Sequence, residues 1–181
     1  MTLKPILALV LEILACRAAA QRPVVATIDS TWRTYRLPDA RFSVTLPAGF
    51  KPRNNYGCYD ALPKGPLTPL RSIRDVCVRV VSSDVAENAS LKYPRDCNLD
   101  LADRTDCDFY EEVSADTLSV EGRRVILERG LRNGTIGHER RRPVILIRVA
   151  LRGGSVGLLE GAVRGTVDEP DFLAAAGSLR Q

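Results

Sequence analysis

The stretch from Leu118 to Val163 constrains this chain more than any other. It holds three runs: 118–131 with a tight turn at Glu121-Gly122, then 144–151, then 156–163, with Gly153-Gly154 as a hairpin signal between the last two. In the middle run, Ile145, Ile147, Val149 and Leu151 fall on one face at period two. Val144, Leu146, Arg148 and Ala150 fall on the other. An apolar set backed by a mixed set predicts a sheet with one face covered and the other partly covered. The rest of the chain must add to that meander.

The flanks carry both strand and helix signals. Residues 31–37 and 41–46 read as short strands, and in the second Phe42, Val44 and Leu46 alternate with Ser43 and Thr45. Pro47 to Phe50 closes that run. Residues 51–70 hold Pro52, Pro63, Pro66 and Pro69 with Gly57 and Gly65, and are expected to be a long connection without regular structure. Residues 74–82 predict a strand with Val76, Val78 and Val80 on one face and Cys77, Arg79 and Val81 on the other. A short helix is expected over 83–91, capped by Ser83 or Asp84. Residues 93–108 are polar and turn-rich. A strand is expected over 107–113, a turn over 114–117, and a projecting hairpin loop over 132–142. Near the C-terminus, Asp168 caps, Pro170 fits a first turn, and Phe172, Leu173, Ala176 and Leu179 make an apolar stripe at helical spacing. The small residues 174–177 would let that helix lie close to the sheet.

The N-terminus bears on compartment. Lys4 precedes an apolar run over 6–14, broken by Glu12, and Ala18-Ala19-Ala20 offers a small-residue cleavage site before Gln21. Residues 1–20 are expected to be a signal peptide of bacterial character. The run is shorter than the roughly 20 apolar residues a membrane helix needs. Ile13-Leu14-Ala15-Cys16 also resembles a bacterial lipobox, so lipidation at Cys16 is the alternative, and only then would the protein be held at a membrane. A buried N-terminal helix is a third possibility. The domain plan is a signal peptide over 1–20, a flexible lead-in over 21–30 and one domain over 31–181, with the protein secreted or periplasmic. A net charge of +4 over 181 residues lacks the concentrated basic face of a nucleic-acid binder.

Export makes the cysteines a disulfide framework. Removing Cys16 leaves Cys58, Cys77, Cys97 and Cys107, which allow three pairings. The sequential pairing closes the shortest loops and is favoured, each bridge contributing about 2–4 kcal/mol through the unfolded chain. A zinc site is disfavoured: there is no Cys-x-x-Cys, and His138 is the only histidine.

No residue is assigned to catalysis. His138 sits between glycine and arginines in a polar loop, which fits solvation better than activation of a nucleophile. Carboxylates leave a hydrolase open as the alternative, through Glu111-Glu112 or Asp106 and Asp108, although strand alternation sets Glu111 and Glu112 on opposite faces. Asp96, Asp100, Asp103, Asp106 and Asp108 would fall mostly inside a ring closed by Cys97 and Cys107. That makes calcium the one cofactor to consider, as a structural ion, though no EF-hand pattern is present. Arg140, Arg141 and Arg142, with Arg132 and Arg148, could form a basic edge for an anionic surface component. Tyr56 and Tyr59 could offer flat amphipathic contacts to a ligand.

Taken in order, several segments resemble the PsbP-like family of small α/β domains. The likeness is carried by Trp32-Arg33-Thr34-Tyr35, by Phe42-Ser43-Val44-Thr45-Leu46-Pro47-Ala48-Gly49-Phe50, and by the closing hairpin with the terminal helix over 171–180. The resemblance implies a central antiparallel sheet packed by helices, in exported accessory proteins and lipoproteins without enzymatic activity. The expected class is therefore α+β: an antiparallel sheet covered by a C-terminal helix and one or two short helices, with two disulfides. The expected role is a bacterial envelope binding or accessory module. Its partner would be an envelope protein or an anionic surface component, and its working surface would lie around Tyr56, Cys58, Tyr59 and the 97–107 loop.

Overall fold

The computed structural model describes residues 25–38, 41–53, 57–61, 74–92, 109–133, 142–163 and 168–181. The elements, in chain order, are β1 (Arg33–Arg36), β2 (Ser43–Leu46), β3 (Phe50–Pro52), β4 (Cys58–Ala61), β5 (Arg74–Ser82), α1 (Ser83–Glu87), β6 (Phe109–Val120), β7 (Arg123–Asn133), β8 (Arg142–Ala150), β9 (Ser155–Ala162) and α2 (Glu169–Ser178). Strands β3 to β9 form a seven-stranded sheet among the described residues, in the order β3-β4-β5-β9-β8-β7-β6. Every pairing in it is antiparallel. Strands β1 and β2 pair separately with each other.

The meander sits where the alternation places it. Glu121 and Gly122 take φ of 49° and 75° between β6 and β7, the left-handed pair of a tight hairpin turn. A 3-10 turn at Arg152–Gly154, with both glycines at positive φ, joins β8 to β9. Ile145, Ile147, Val149 and Leu159 join Val76, Val78, Val125 and Leu127 in the main core. Helix α2 covers this face. Phe172, Leu173, Ala175, Ala176 and Leu179 belong to the same core, and Phe172 meets Phe50 edge-on at 6.3 Å. The small residues do allow close approach. A Cβ at Gly157 would lie 2.5 Å from Leu179 Cδ1, so the helix end rests on bare β9 backbone.

Polar contacts then fix the helix. Asp168 occupies the N-cap position, but its side chain makes no capping hydrogen bond. Arg129 of β7 instead grips Glu169 with two nitrogens, at 2.7 and 2.6 Å. At the other end Arg123 donates to the carbonyls of Leu179, at 2.8 Å, and Gly177, which complements the negative end of the helix dipole. Thr45 N–H donates to Ser178 Oγ at 2.8 Å, and Ser43 and Arg180 exchange backbone bonds at 2.8 and 3.1 Å. The β1–β2 hairpin is thereby tied to the helix end.

Two expectations need correction. Residues 51–70 are not wholly irregular: Phe50–Pro52 and Cys58–Ala61 are strands that extend the sheet edge. They are too short for alternation to show, and Pro52 stands on the outermost strand, where a missing donor costs little. Residues 114–117 are not a turn but the middle of β6. Their polarity belongs to an exposed edge strand, and the irregularity lies just before, where a bulge between Glu111 and Ser114 puts Glu112 at φ 53°. Part of the lead-in is tied down: Val25 packs on the core, and Ala26 N–H donates to Pro170 at 3.2 Å. The signal peptide, Cys16, His138 and the projecting hairpin loop up to residue 141 lie outside the described residues. Among the described residues, no helix is long and apolar enough to cross a membrane.

Candidate functional site

The second face of the sheet is built differently. Half of it is closed by α1 and the residues after it. Glu128 on β7 is 1% exposed. It accepts from Ser90 Oγ at 2.9 Å and from Leu91 N–H at 2.6 Å, and it pairs with Arg148 of β8. Arg148 also donates to Ala86 at 3.4 Å. Leu91 then joins Val144 and Leu146 in a small second core, with Tyr110 and Val113 packed against it. One buried carboxylate thus pins a short segment that has few apolar residues of its own.

The other half of this face is an open cleft of about 340 Å³. Its floor is the disulfide Cys58–Cys77, with Val144, Gly161 and Ala162. The two cysteines stand directly opposite on β4 and β5, with Cα atoms 4.0 Å apart. Cys58 was expected on a loop; it is a strand residue, and that is a further correction. Gly161 is required here, because a Cβ would meet the Asp75 carbonyl oxygen at 2.1 Å. The walls carry Arg53, Arg79, Arg132 and Arg142 against two carboxylates, Asp75 and Glu160.

The carboxylates are committed to the sheet. Asp75 accepts from Ala162 N–H at 2.8 Å. Glu160 accepts from Tyr110 Oη at 3.1 Å and lies 3.8 Å from Arg79. Arg53 spans Asp60 at 3.4 Å and Asp75 at 3.8 Å, and its other terminal nitrogen is 3.9 Å from Cys77 Sγ. Four guanidinium groups and two carboxylates line the cleft, and Arg53 also reaches a third carboxylate, Asp60. A concave surface on which guanidinium groups gather can focus its field toward anions.

The sequence-derived site residues divide as follows. Arg142, Cys58 and Cys77 come together in this cleft. Tyr59 does not reach a surface. It is 3% exposed, in the main core, with its ring 4.9 Å from Tyr35. Burial, with a lesser contribution from Tyr35, pushes its phenol above the ordinary value. The reason is alternation: its neighbour Cys58 faces the cleft, so Tyr59 faces inward. Tyr56, Arg140, Arg141, Cys97, Cys107, Asp96, Asp100, Asp103, Asp106 and Asp108 lie outside the described residues. One disulfide, Cys58–Cys77, is seen among the described residues, and both cysteines of the second expected bridge lie outside them. Among the described residues, no cluster of three or more His, Cys, Asp or Glu side chains could hold a metal ion.

Arg53, Asp75, Arg79, Tyr110 and Glu160 were not singled out from sequence. A signal existed: Asp75, Cys77 and Arg79 share one parity on a strand whose other parity carries Val76, Val78 and Val80, and Glu160 interrupts an apolar run.

No family model matches the chain, and no curated protein does. Among solved structures it is similar to a cyanobacterial PsbP (CyanoP) from Synechocystis sp. PCC 6803, at 11% identity and TM-score 0.47, covering 88% of this chain and 98% of that one. It is also similar to a crystal structure from Bacteroides thetaiotaomicron, at 9% identity and TM-score 0.34, covering 83% of this chain and 48% of that one. The antiparallel sheet with a C-terminal helix is the architecture that the resemblance read from sequence implies.

Proposed function

We propose that this protein is a non-catalytic accessory module that docks an acidic segment of a partner protein in the disulfide-floored cleft. The observation that carries the reading is the gathering of Arg53, Arg79, Arg132 and Arg142 around one concave floor. Arginine suits the task because its planar fork meets a carboxylate with two bonds. The floor itself is held by a covalent link, so little ordering is left for binding to supply. A disulfide in the sheet fits maturation under oxidising conditions, and an exported, envelope-facing location belongs to this proposal.

The test is binding of a fluorescent glutamate-rich peptide at low salt. Arg79→Glu and Arg142→Glu should each weaken it by about tenfold or more, and added salt should weaken it further. Arg33→Glu, on exposed β1, should change it little. No binding at low salt, or equal affinity in all variants, overturns the reading. A carboxylate-based hydrolase is the second reading, favoured by Asp75 and Glu160 lining one cleft. Turnover of a glycoside panel that is lost in Glu160→Gln would support it.

A further inference from the structure

A second cleft lies away from the disulfide, at the end of the sheet where the β6–β7 and β8–β9 turns meet the tail of α2. It encloses about 590 Å³, within the range of pockets that take small ligands. Its lining is amphipathic. Phe42, Leu151 and Leu179 supply apolar surface, while Arg152 and Arg180 stand at the rim with Glu121.

The charges are not matched. Arg123, also in the wall, is held by the carbonyls of Gly177 and Leu179 and serves the helix end. Burial holds its guanidinium below the ordinary value; Glu121 opposes that shift and Arg180 adds to it. Glu121 is the one acidic side chain in the lining, and it is shared: 3.8 Å from Arg123 and 3.9 Å from Arg180. The Arg180 side chain is 73% exposed, so that long contact is worth little. Arg152 is exposed and makes no ion pair among the described residues. The cleft therefore presents two weakly committed guanidinium groups above an apolar wall.

We propose that this cleft is a binding site for a small organic anion with an apolar body, its phosphate or carboxylate head held by Arg152 and Arg180 and its body lying against Phe42 and Leu151. A phosphate or carboxylate completes the forks of both arginines. An apolar body gains by leaving water against the wall. Neither part alone meets the whole lining. The proposal is independent of the disulfide-floored cleft, and the two can fail separately.

The probe is octyl phosphate below its micellar concentration, titrated into isotopically labelled protein and followed by amide chemical shifts. Shifts are expected at Phe42, Gly122, Leu151, Arg152 and Arg180. Inorganic phosphate should bind at least about tenfold more weakly, since it lacks the apolar body. Arg152→Glu and Arg180→Glu should each weaken octyl phosphate by about tenfold or more, as expected for losing a charged hydrogen bond. Arg142→Glu, in the other cleft, should leave it unchanged. Absence of shifts, shifts at the disulfide cleft instead, or equal binding of octanol overturns the proposal. So does full retention of affinity in Arg152→Glu and Arg180→Glu.

Discussion

The two faces of the sheet solve the same burial problem in opposite ways. The helix-covered face is apolar throughout its centre: Val44, Val76, Leu127, Ile147, Leu159 and Ala176 are at most 1% exposed and need only shape and water exclusion. The other face carries Glu128, Arg148, Asp75, Arg79 and Glu160 beside Val144, Leu146 and Leu158. Half of it is closed by one buried carboxylate and half is left open as an arginine-lined cleft. An apolar face tolerates conservative change, because its contacts are non-directional. A polar face does not, since removing one partner leaves the other buried with nothing to bond. The second face is therefore the more brittle and the more specific of the two.

The comparison breaks most directly at Glu128. Glu128→Ala should cost about 3 kcal/mol by urea unfolding, because the part-buried Arg148 loses its counter-charge and the buried Ser90 hydroxyl and Leu91 N–H lose their acceptor. The double variant Glu128→Met with Arg148→Met should recover part of that loss, which would show how much of the cost lies in the broken pair. Next is the disulfide. Replacing Cys58 and Cys77 by Ala should lower stability by about 3 kcal/mol, given a loop closed over a separation of 19 residues. Equal stability with and without reductant would remove the covalent floor from the comparison. A smaller effect is expected at Arg129→Met, about 1 kcal/mol, because its bidentate contact with Glu169 is only part-buried. The smallest belongs to Arg53→Ala, below about 1 kcal/mol by thermal or urea unfolding. Its ion pairs are long, and its side chain is 46% exposed. A large loss there would mean that the cleft rim holds the fold together.

Much of the apolar face was legible in the sequence, and much of the polar face was not. Period-two alternation in 144–151 assigned Ile145, Ile147 and Val149 to the core, and helical spacing assigned Phe172, Leu173 and Leu179 to the helix above it. Such patterns report which side of an element leaves water, and they suffice when burial is the only requirement. Strands β3 and β4 escaped because runs of three and four residues hold too few alternations to count. The middle of β6 escaped because Ser114, Asp116 and Thr117 carry turn-like chemistry on an exposed edge. The site escaped for another reason. Arg53 follows β3, Arg79 is on β5 and Glu160 is on β9, and only the order β3-β4-β5-β9 brings them together. Tyr59 shows the converse, where an aromatic that reads as a contact residue belongs to the interior because its strand neighbour takes the cleft.

The most direct measurement is an amide chemical-shift titration of the labelled protein with a glutamate-rich peptide, in low and then raised salt. Binding through the open face predicts shifts at Cys58, Cys77, Arg79, Arg142 and Glu160 that fade as salt is added, with the residues of α2 unmoved. Shifts confined to the helix-covered side, or none at any salt concentration, would contradict the assignment of function to this cleft.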